Sequence, residues 1–243
     1  MAIEKFQLEL SYLKDIASNI KELGFKRLDK KPLNFTPGQF ITLLFEEPKT
    51  NSIKRRSYSL GSTPSNNDSF SVAISYVKGG IASEYFFSAE SGQRINAMGP
   101  AGRLVLQDQN FKKIILVGTG TGIVPYKSMF PKLLELADQT EIHILSGVQY
   151  KKNALYMDEF INLDKSHKNI HFKLCLSREL DSLSEYEVSG YVQDQFKNLD
   201  LDPNEDVVYL CGNPNMIEQA SQELKKIGFD KKSIRIEKYI SPN

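Results

Sequence analysis

Cysteine is scarce in this chain: Cys175 and Cys211 are its only two in 243 residues. Two thiols build no disulfide framework. They also fall short of the four thiolates, or two thiolates with two histidines, that hold an iron–sulfur cluster. The three histidines, His143, His167 and His171, stand without zinc-ligand spacing, so no metal is expected. Net charge is small as well, +1 overall, which gives no electrostatic support to nucleic-acid binding. Apolar runs are short, as in Ile114-Ile115-Leu116-Val117, far below a membrane span. The opening Met1-Ala2-Ile3-Glu4-Lys5-Phe6 has no stretch of signal-peptide character. These absences point to a cytoplasmic protein with no membrane and no nucleic-acid partner.

What is present divides into two styles. Residues 1–105 carry 14 Lys/Arg against 10 Asp/Glu, a net of +4, while residues 106–243 carry 17 against 20, a net of −3. The first part is punctuated by turn chemistry at Thr36-Pro37-Gly38, Glu47-Pro48, Ser65-Asn66-Asn67-Asp68 and Lys78-Gly79-Gly80. Short apolar runs between such turns indicate a β-barrel or sandwich. In the second part, strands expected at 113–117, 141–146, 170–176 and 207–210 alternate with helices expected at 126–137, 155–163 and 216–227. That alternation indicates a parallel sheet covered on both faces. The boundary is expected near 106–111. Leu13, Ile16, Ile20 and Leu23 recur at helical spacing and, read alone, favour an amphipathic helix.

Three motifs carry chemistry. In Arg56-Ser57-Tyr58-Ser59, strand alternation sets Arg56 and Tyr58 on one side and Ser57 and Ser59 on the other. Such a segment suits a stacked ring and an anion, and equally suits an ordinary half-buried strand. Gly118-Thr119-Gly120-Thr121-Gly122-Ile123-Val124-Pro125 is a glycine turn between an apolar strand and a helix, with proline fitted to a first helical turn. It is neither a standard dinucleotide loop, since Ile123 replaces the last glycine, nor a P-loop. Cys211-Gly212-Asn213-Pro214-Asn215-Met216 follows the 207–210 strand. A buried free thiol is the usual fate of a cysteine, and Cys175 is read that way.

In this order, and with Ile236-Glu237-Lys238-Tyr239 near the end, the chain resembles the ferredoxin–NADP reductase superfamily from about residue 5 to Tyr239. The resemblance implies a two-domain fold. An antiparallel β-barrel FAD-binding domain (1–107) precedes an α/β Rossmann-like parallel-sheet NADP-binding domain (108–243). It also implies strands, not a helix, over Leu13 to Leu23, and a barrel-closing turn at Gly99-Pro100-Ala101-Gly102. Tyr58 is then expected against the flavin, Arg56 on its pyrophosphate with Ser57 beside it, and Ser59 near the ring nitrogen that takes up hydride. Gly80, Ile81, Ala82 and Ser83, opening a short helix over 82–89, are expected at the FAD pyrophosphate.

On the nucleotide side the resemblance assigns Gly118, Thr119, Gly120, Thr121, Gly122 and Pro125 to pyrophosphate and ribose. Cys211, Gly212 and Met216 fall beside the nicotinamide, Cys211 as a polar neighbour and not a nucleophile. Ser177, Arg178 and Tyr191 match positions that grip a 2′-phosphate, although Ser189 replaces the family's lysine, so NADPH is expected with NADH possible. Tyr239 is implied as a lid over the flavin and Glu237 as part of a proton network; the chain departs from the family pattern by continuing through Ile240-Ser241-Pro242-Asn243. Catalytic roles thus fall to Ser59, Cys211, Glu237 and Tyr239. The implied activity is hydride transfer between NADPH and FAD, with single electrons exchanged with a separate ferredoxin or flavodoxin. The alternative is an NADH-dependent reductase component of a multicomponent oxygenase, or a flavin reductase. A monomer is expected. Lys26, Arg27, Lys30, Lys31, Lys49, Lys54 and Arg55 are expected to draw the acidic partner.

Overall fold

The computed structural model describes residues 3–47, 50, 52–65 and 68–239. Lys49, parts of two expected turns (Pro48, and Asn66 with Asn67) and the 240–243 tail lie outside the described residues. Internal contacts divide the chain into Met1–Val105 with Val124–Met129, and Leu106–Ile123 with Phe130–Asn243.

The first unit is a six-stranded antiparallel sheet built from β1 (Glu4–Ala17), β2 (Ile20–Arg27), β3 (Phe40–Glu47), β4 (Ser52–Ser59), β5 (Ser69–Ser75) and β6 (Arg94–Ala101), in the order β4-β3-β6-β1-β2-β5. Leu60, just past β4, bridges Val72 of β5, so the two edge strands meet and the sheet closes on itself. The helical spacing of Leu13, Ile16, Ile20 and Leu23 has a specific cause. Phe6, Leu8 and Leu10 face the core at even positions, and then the β1–β2 register shifts between Leu10 and Tyr12. That bulge inserts one residue and moves the apolar phase to Leu13, which packs against the same core. Asn19, at φ 61, turns the chain between the two strands. A short helix, α1 (Ile81–Phe87), sends Phe86 into the barrel, where its ring meets Phe25 and Phe45 edge-on at 5.9 and 5.8 Å.

One expectation needs correction in this unit. Gly99, Pro100 and Ala101 belong to β6 itself and pair with β1 and β3, so they do not form a turn. The segment Val124–Met129 packs with this unit as well. Gly38 N–H donates to Ser128 Oγ at 3.1 Å, and Lys127 lies 3.8 Å from Glu22.

The second unit is a six-stranded parallel sheet. Its strands are β7 (Lys113–Thr119), β8 (Glu141–Val148), β9 (Ile170–Leu176), β10 (Glu187–Ser189), β11 (Val207–Gly212) and β12 (Ile234–Lys238), ordered β10-β9-β8-β7-β11-β12. The chain steps outward from β7 on one side, then returns to β11 on the other, so the strand order reverses beside β7. In open α/β sheets ligands bind at the carboxyl ends of strands at such a switch point. The expected helix at 126–137 is two short ones broken at Met129: α2 (Val124–Ser128), which packs with the first unit, and α3 (Phe130–Leu136), which belongs to this one. The remaining helices are α4 (Met157–Ser166) and α5 (Pro214–Ile227). Phe160 of α4 stacks on Phe172 of β9 at 5.3 Å, on one face. On the other face Ile217, Ala220 and Leu224 of α5 cover Ile115, Val117, Val208 and Leu210.

Candidate functional site

In the first unit β4 carries the Arg56–Ser59 segment, paired with β3 in the register Arg56↔Leu43, Ser57↔Thr42, Tyr58↔Ile41 and Ser59↔Phe40. Tyr58 is half-buried against the barrel core, and desolvation pushes its phenol well above the usual range, with Arg56 opposing weakly. It remains a neutral ring at physiological pH. Arg56 spends one guanidinium hydrogen bond on the Arg55 carbonyl, at 2.8 Å. Its alternate neighbours differ in setting: Ser57 is exposed and bonds Thr42 Oγ1 at 2.9 Å, while Ser59 is buried at the strand end.

The second element of this unit is the turn into α1. Gly80 is the residue before the helix, and having no side chain it makes no capping bond. The first-turn N–H groups of a helix have no intrahelical acceptor. Gly79, at φ +72, has nothing within 4 Å of where a Cβ would stand. Ser83 turns inward: its Oγ accepts from Val77 N–H at 2.8 Å and donates to the Ser75 carbonyl at 3.4 Å. Its hydroxyl therefore shapes the turn, leaving backbone N–H groups to meet a ligand. This donor set fits a phosphate group, as a flavin dinucleotide requires.

In the second unit the glycine turn and the Cys211 segment meet at the carboxyl ends of β7 and β11, where Gly118 and Cys211 are register partners. The sequence assigns all the turn glycines to close ligand approach; the structure divides them. A Cβ at Gly118 would sit 2.8 Å from the Gly122 backbone, one at Gly122 would sit 2.3 Å from the Cys211 carbonyl oxygen, and one at Gly212 would sit 2.6 Å from Thr119. These three are needed for chain-on-chain packing. Gly120, at φ +55 with nothing within 4 Å, is the one that leaves room for a ligand. Thr119 Oγ1 ties the halves together by accepting from Asn213 N–H at 3.0 Å. Thr121 lies in the short 3-10 turn Gly120–Ile123, and Pro125 in the first turn of α2.

The β11–β12 pairing adds the C-terminal residues. Glu237 is the register partner of Cys211, and Tyr239 N–H donates to the Gly212 carbonyl at 2.9 Å. Cys211 is fully buried, and its thiol is pushed well above its ordinary range, first by burial and then by the Glu237 charge, with a Tyr239 hydrogen bond opposing. It is a protonated thiol. Met216 differs from expectation: α5 starts at Pro214, capped by Asn213 Oδ1 accepting from Asn215 N–H at 2.8 Å, and this start turns Met216 into the core beneath the helix.

Farther along the same carboxyl-end rim, Arg178 is exposed just past β9, its N–H bonded to the Gln149 carbonyl at 3.0 Å, with Ser177 beside it bonded to Val148. Tyr191 is 59% exposed just past β10, the strand beside β9. Sequence reasoning missed Asp194, whose carboxylate accepts from Tyr191 N–H at 2.9 Å and places a negative charge beside that tyrosine. No local pattern signals it. Among the expected docking cations Arg27 is corrected. It is 3% exposed, forks onto Glu4 and Asp29 at 2.6–3.0 Å, and lies 4.3 Å from the Phe6 ring centre. Lys54 lies 3.6 Å from Glu47. Lys26, Lys30, Lys31 and Arg55 are exposed.

Residues 7–106 match the oxidoreductase FAD-binding domain family, and residues 116–222 match the oxidoreductase NAD-binding domain family. Ferredoxin–NADP reductase B of Sorangium cellulosum is 28% identical, the alignment covering 97% of this chain and 98% of that protein. The toluate 1,2-dioxygenase electron transfer component of Pseudomonas putida is 27% identical over 96% of this chain and 67% of its own length. The crystal structure of the Amycolatopsis cytochrome P450 reductase GcoB superposes with a TM-score of 0.84, at 24% identity, covering 97% of this chain and 70% of that one; it shows a shared fold. FAD and a pyridine nucleotide are the cofactors that these two domains bind. With a closed barrel carrying the one and a parallel sheet the other, the chain belongs to the ferredoxin–NADP reductase superfamily of flavin-dependent oxidoreductases.

Proposed function

We propose that the protein is an NADPH-dependent reductase that exchanges single electrons with a separate ferredoxin or flavodoxin. Residues 1–107 serve as its FAD-binding domain and 108–243 as its NADP-binding domain. The observation that carries this reading is the meeting of the Gly120 turn, Cys211, Glu237 and Tyr239 at the carboxyl ends of three adjacent strands, β7, β11 and β12. Bound FAD would supply hydride acceptance from a reduced nicotinamide and release of electrons one at a time.

The roles of the chain follow from its geometry. Tyr58 supplies a neutral stacking face, Arg56 a cation for a phosphate, Ser59 a hydroxyl for the ring, and Gly80 through Ser83 backbone donors. Thr119, Gly120 and Thr121 approach the nucleotide, with Gly118, Gly122 and Gly212 holding that turn closed. At the nicotinamide, buried Cys211 is a polar, protonated thiol at the end of β11, and Glu237 and Tyr239 beside it on the β12 side supply a proton-accepting group and an aromatic ring. Arg178 and Tyr191 take the 2′-phosphate. The exposed Lys26, Lys30, Lys31 and Arg55 draw an acidic partner. The protein works as a monomer in a reducing cytoplasm; both cysteines are free thiols, and no helix among the described residues is long and apolar enough to cross a membrane.

A second reading is favoured by one feature. Asp194 beside Tyr191, with Ser189 where the family has a lysine, weakens the case for a 2′-phosphate. An NADH-dependent reductase serving an oxygenase would tolerate that charge, and the Pseudomonas putida relative is named as the electron transfer component of a dioxygenase. Anaerobic rapid-mixing reduction of the FAD-loaded protein separates the two. Faster bleaching of the flavin by NADPH, followed by reoxidation with ferredoxin or flavodoxin, supports the first reading. Preference for NADH sinks it.

A further inference from the structure

Away from the nucleotide-facing edge, the parallel sheet brings together a second group of chemistry-bearing side chains at the amino-terminal ends of its strands. Glu141 and His143 share one face of β8, and His171 of β9 stands directly across from His143 in the parallel register. His143 Nε2 lies 2.8 Å from Glu141 Oε1, and His171 Nε2 lies 3.7 Å from the same oxygen. The two imidazole centres are 4.9 Å apart, and one donor atom from each of the three residues lies within 4.8 Å of the others. An ordinary Glu–His hydrogen bond needs no third group. Here a second imidazole is directed at the same carboxylate oxygen from the neighbouring strand.

We propose that Glu141, His143 and His171 form a binding site for a divalent first-row transition ion of the zinc class. Two imidazoles and one carboxylate are a donor set for zinc, cobalt, nickel or copper, and a poor one for magnesium or calcium, which take oxygen cages. Bonds of about 2.0–2.2 Å to such an ion put tetrahedral donors about 3.3 Å apart. Reaching that spacing from the observed one takes side-chain rotations alone, because paired strands already hold the three Cα atoms. Depth is graded: the His143 side chain is 13% exposed, while those of Glu141 and His171 are 41% and 43% exposed. The ion therefore has an entry path, and water completes its shell. Lys113, register partner of Glu141 on β7, brings a cation to this edge, but its Nζ is drawn onto the Asp200 carbonyl at 2.6 Å. The sequence hides the site because its ligands become neighbours only through strand pairing.

The test uses the full-length, FAD-loaded protein, washed with chelator and titrated with zinc by calorimetry near neutral pH, with bound metal counted after dialysis. The structure contains its own control. His167 pairs with Asp138 at 3.3 Å without belonging to the Glu141 group. One zinc per chain is expected, weakened at least about tenfold in His171→Ala and in Glu141→Gln and unchanged in His167→Gln. Zinc should also raise the Tm of the unaltered protein and not that of His171→Ala. Flavin absorbance and circular dichroism establish that each variant is folded. Failure of the unaltered protein to take up stoichiometric zinc at micromolar concentration overturns the proposal. So does binding that survives His171→Ala, or that His167→Gln abolishes.

Discussion

Gly122 lies so close to Cys211 that a Cβ on the glycine would stand 2.3 Å from the cysteine's carbonyl oxygen. The obstacle is backbone on a central strand, which cannot move aside. Gly122→Ala should therefore displace the turn from β11, at a cost above the ~1–3 kcal/mol of ordinary overpacking. Flavin content should stay normal, because the barrel is untouched, while reduction by NADPH falls at least about tenfold. Gly120→Ala is the informative comparison. It has open space and costs only the ~1–2 kcal/mol of a left-handed residue. Equal loss in both variants would refute the division of the glycines into packing and ligand roles.

Arg178 and Tyr191 project from neighbouring strand ends, and Asp194 adds a negative charge beside the tyrosine. Removing a charged hydrogen-bond donor from a phosphate costs about 1.5–3 kcal/mol. Arg178→Ala should raise the KM for NADPH about tenfold or more, with little change for NADH. Asp194→Asn should shift preference the other way, toward NADPH. Steady-state kinetics with both nucleotides decides it, and an equal effect of Arg178→Ala on the two would remove Arg178 from the phosphate site.

The fork of Arg27 onto Glu4 and Asp29 makes a stability prediction with a definite pH window. Arg27 holds the Asp29 carboxyl down to about 2 and lowers that of Glu4 as well. Carboxylates with depressed values contribute stability that is complete above their unfolded values near ~4 and is lost as pH falls toward about 2. Arg27→Met should lower stability at pH 7 by about 2 kcal/mol. That is less than the ~3–5 of a fully buried pair, because both carboxylates keep contact with water. It should also flatten the acid limb of a urea-unfolding series between ~pH 4 and 2. An unchanged acid limb in the variant would show that the loss comes from packing on Phe6 alone.

Both thiols are held protonated by burial, Cys175 pushed up to about 12 and Cys211 well above its normal range. Thiolate is the reactive species, so Ellman's reagent should find almost no fast-reacting cysteine in the native protein up to pH 9 and both after denaturation. Rapid native labelling at one equivalent, mapped to Cys211, would mean that this strand end opens.

Legibility in the sequence tracked the range of the interaction. The 170–176 strand is readable to the residue, because Ile170, Phe172 and Leu174 alternate with His171 and Lys173, a period that needs no partner to be recognised. Helical spacing predicts one piece over 126–137, but the helix breaks at Met129, beside Ser128, whose Oγ accepts from Gly38 N–H far away in sequence. Arg27 looked like one more surface lysine or arginine; only the fold brings Glu4 beside it. The glycines of the turn looked alike, and their separate neighbours distinguish them.

The amino-acid sequence by itself determined the two styles of secondary structure, the order of the motifs and, through them, the superfamily. Each of these is written in local periodicity, turn residues and short contiguous runs. Tertiary structure alone decided which glycines touch backbone and which face open space, that Met216 and Arg27 are buried, and that Asp194 stands at Tyr191. It alone brought Glu141, His143 and His171 to one sheet edge. These depend on strand register and on pairing between distant segments, and a one-residue change of register would undo them without altering any local pattern.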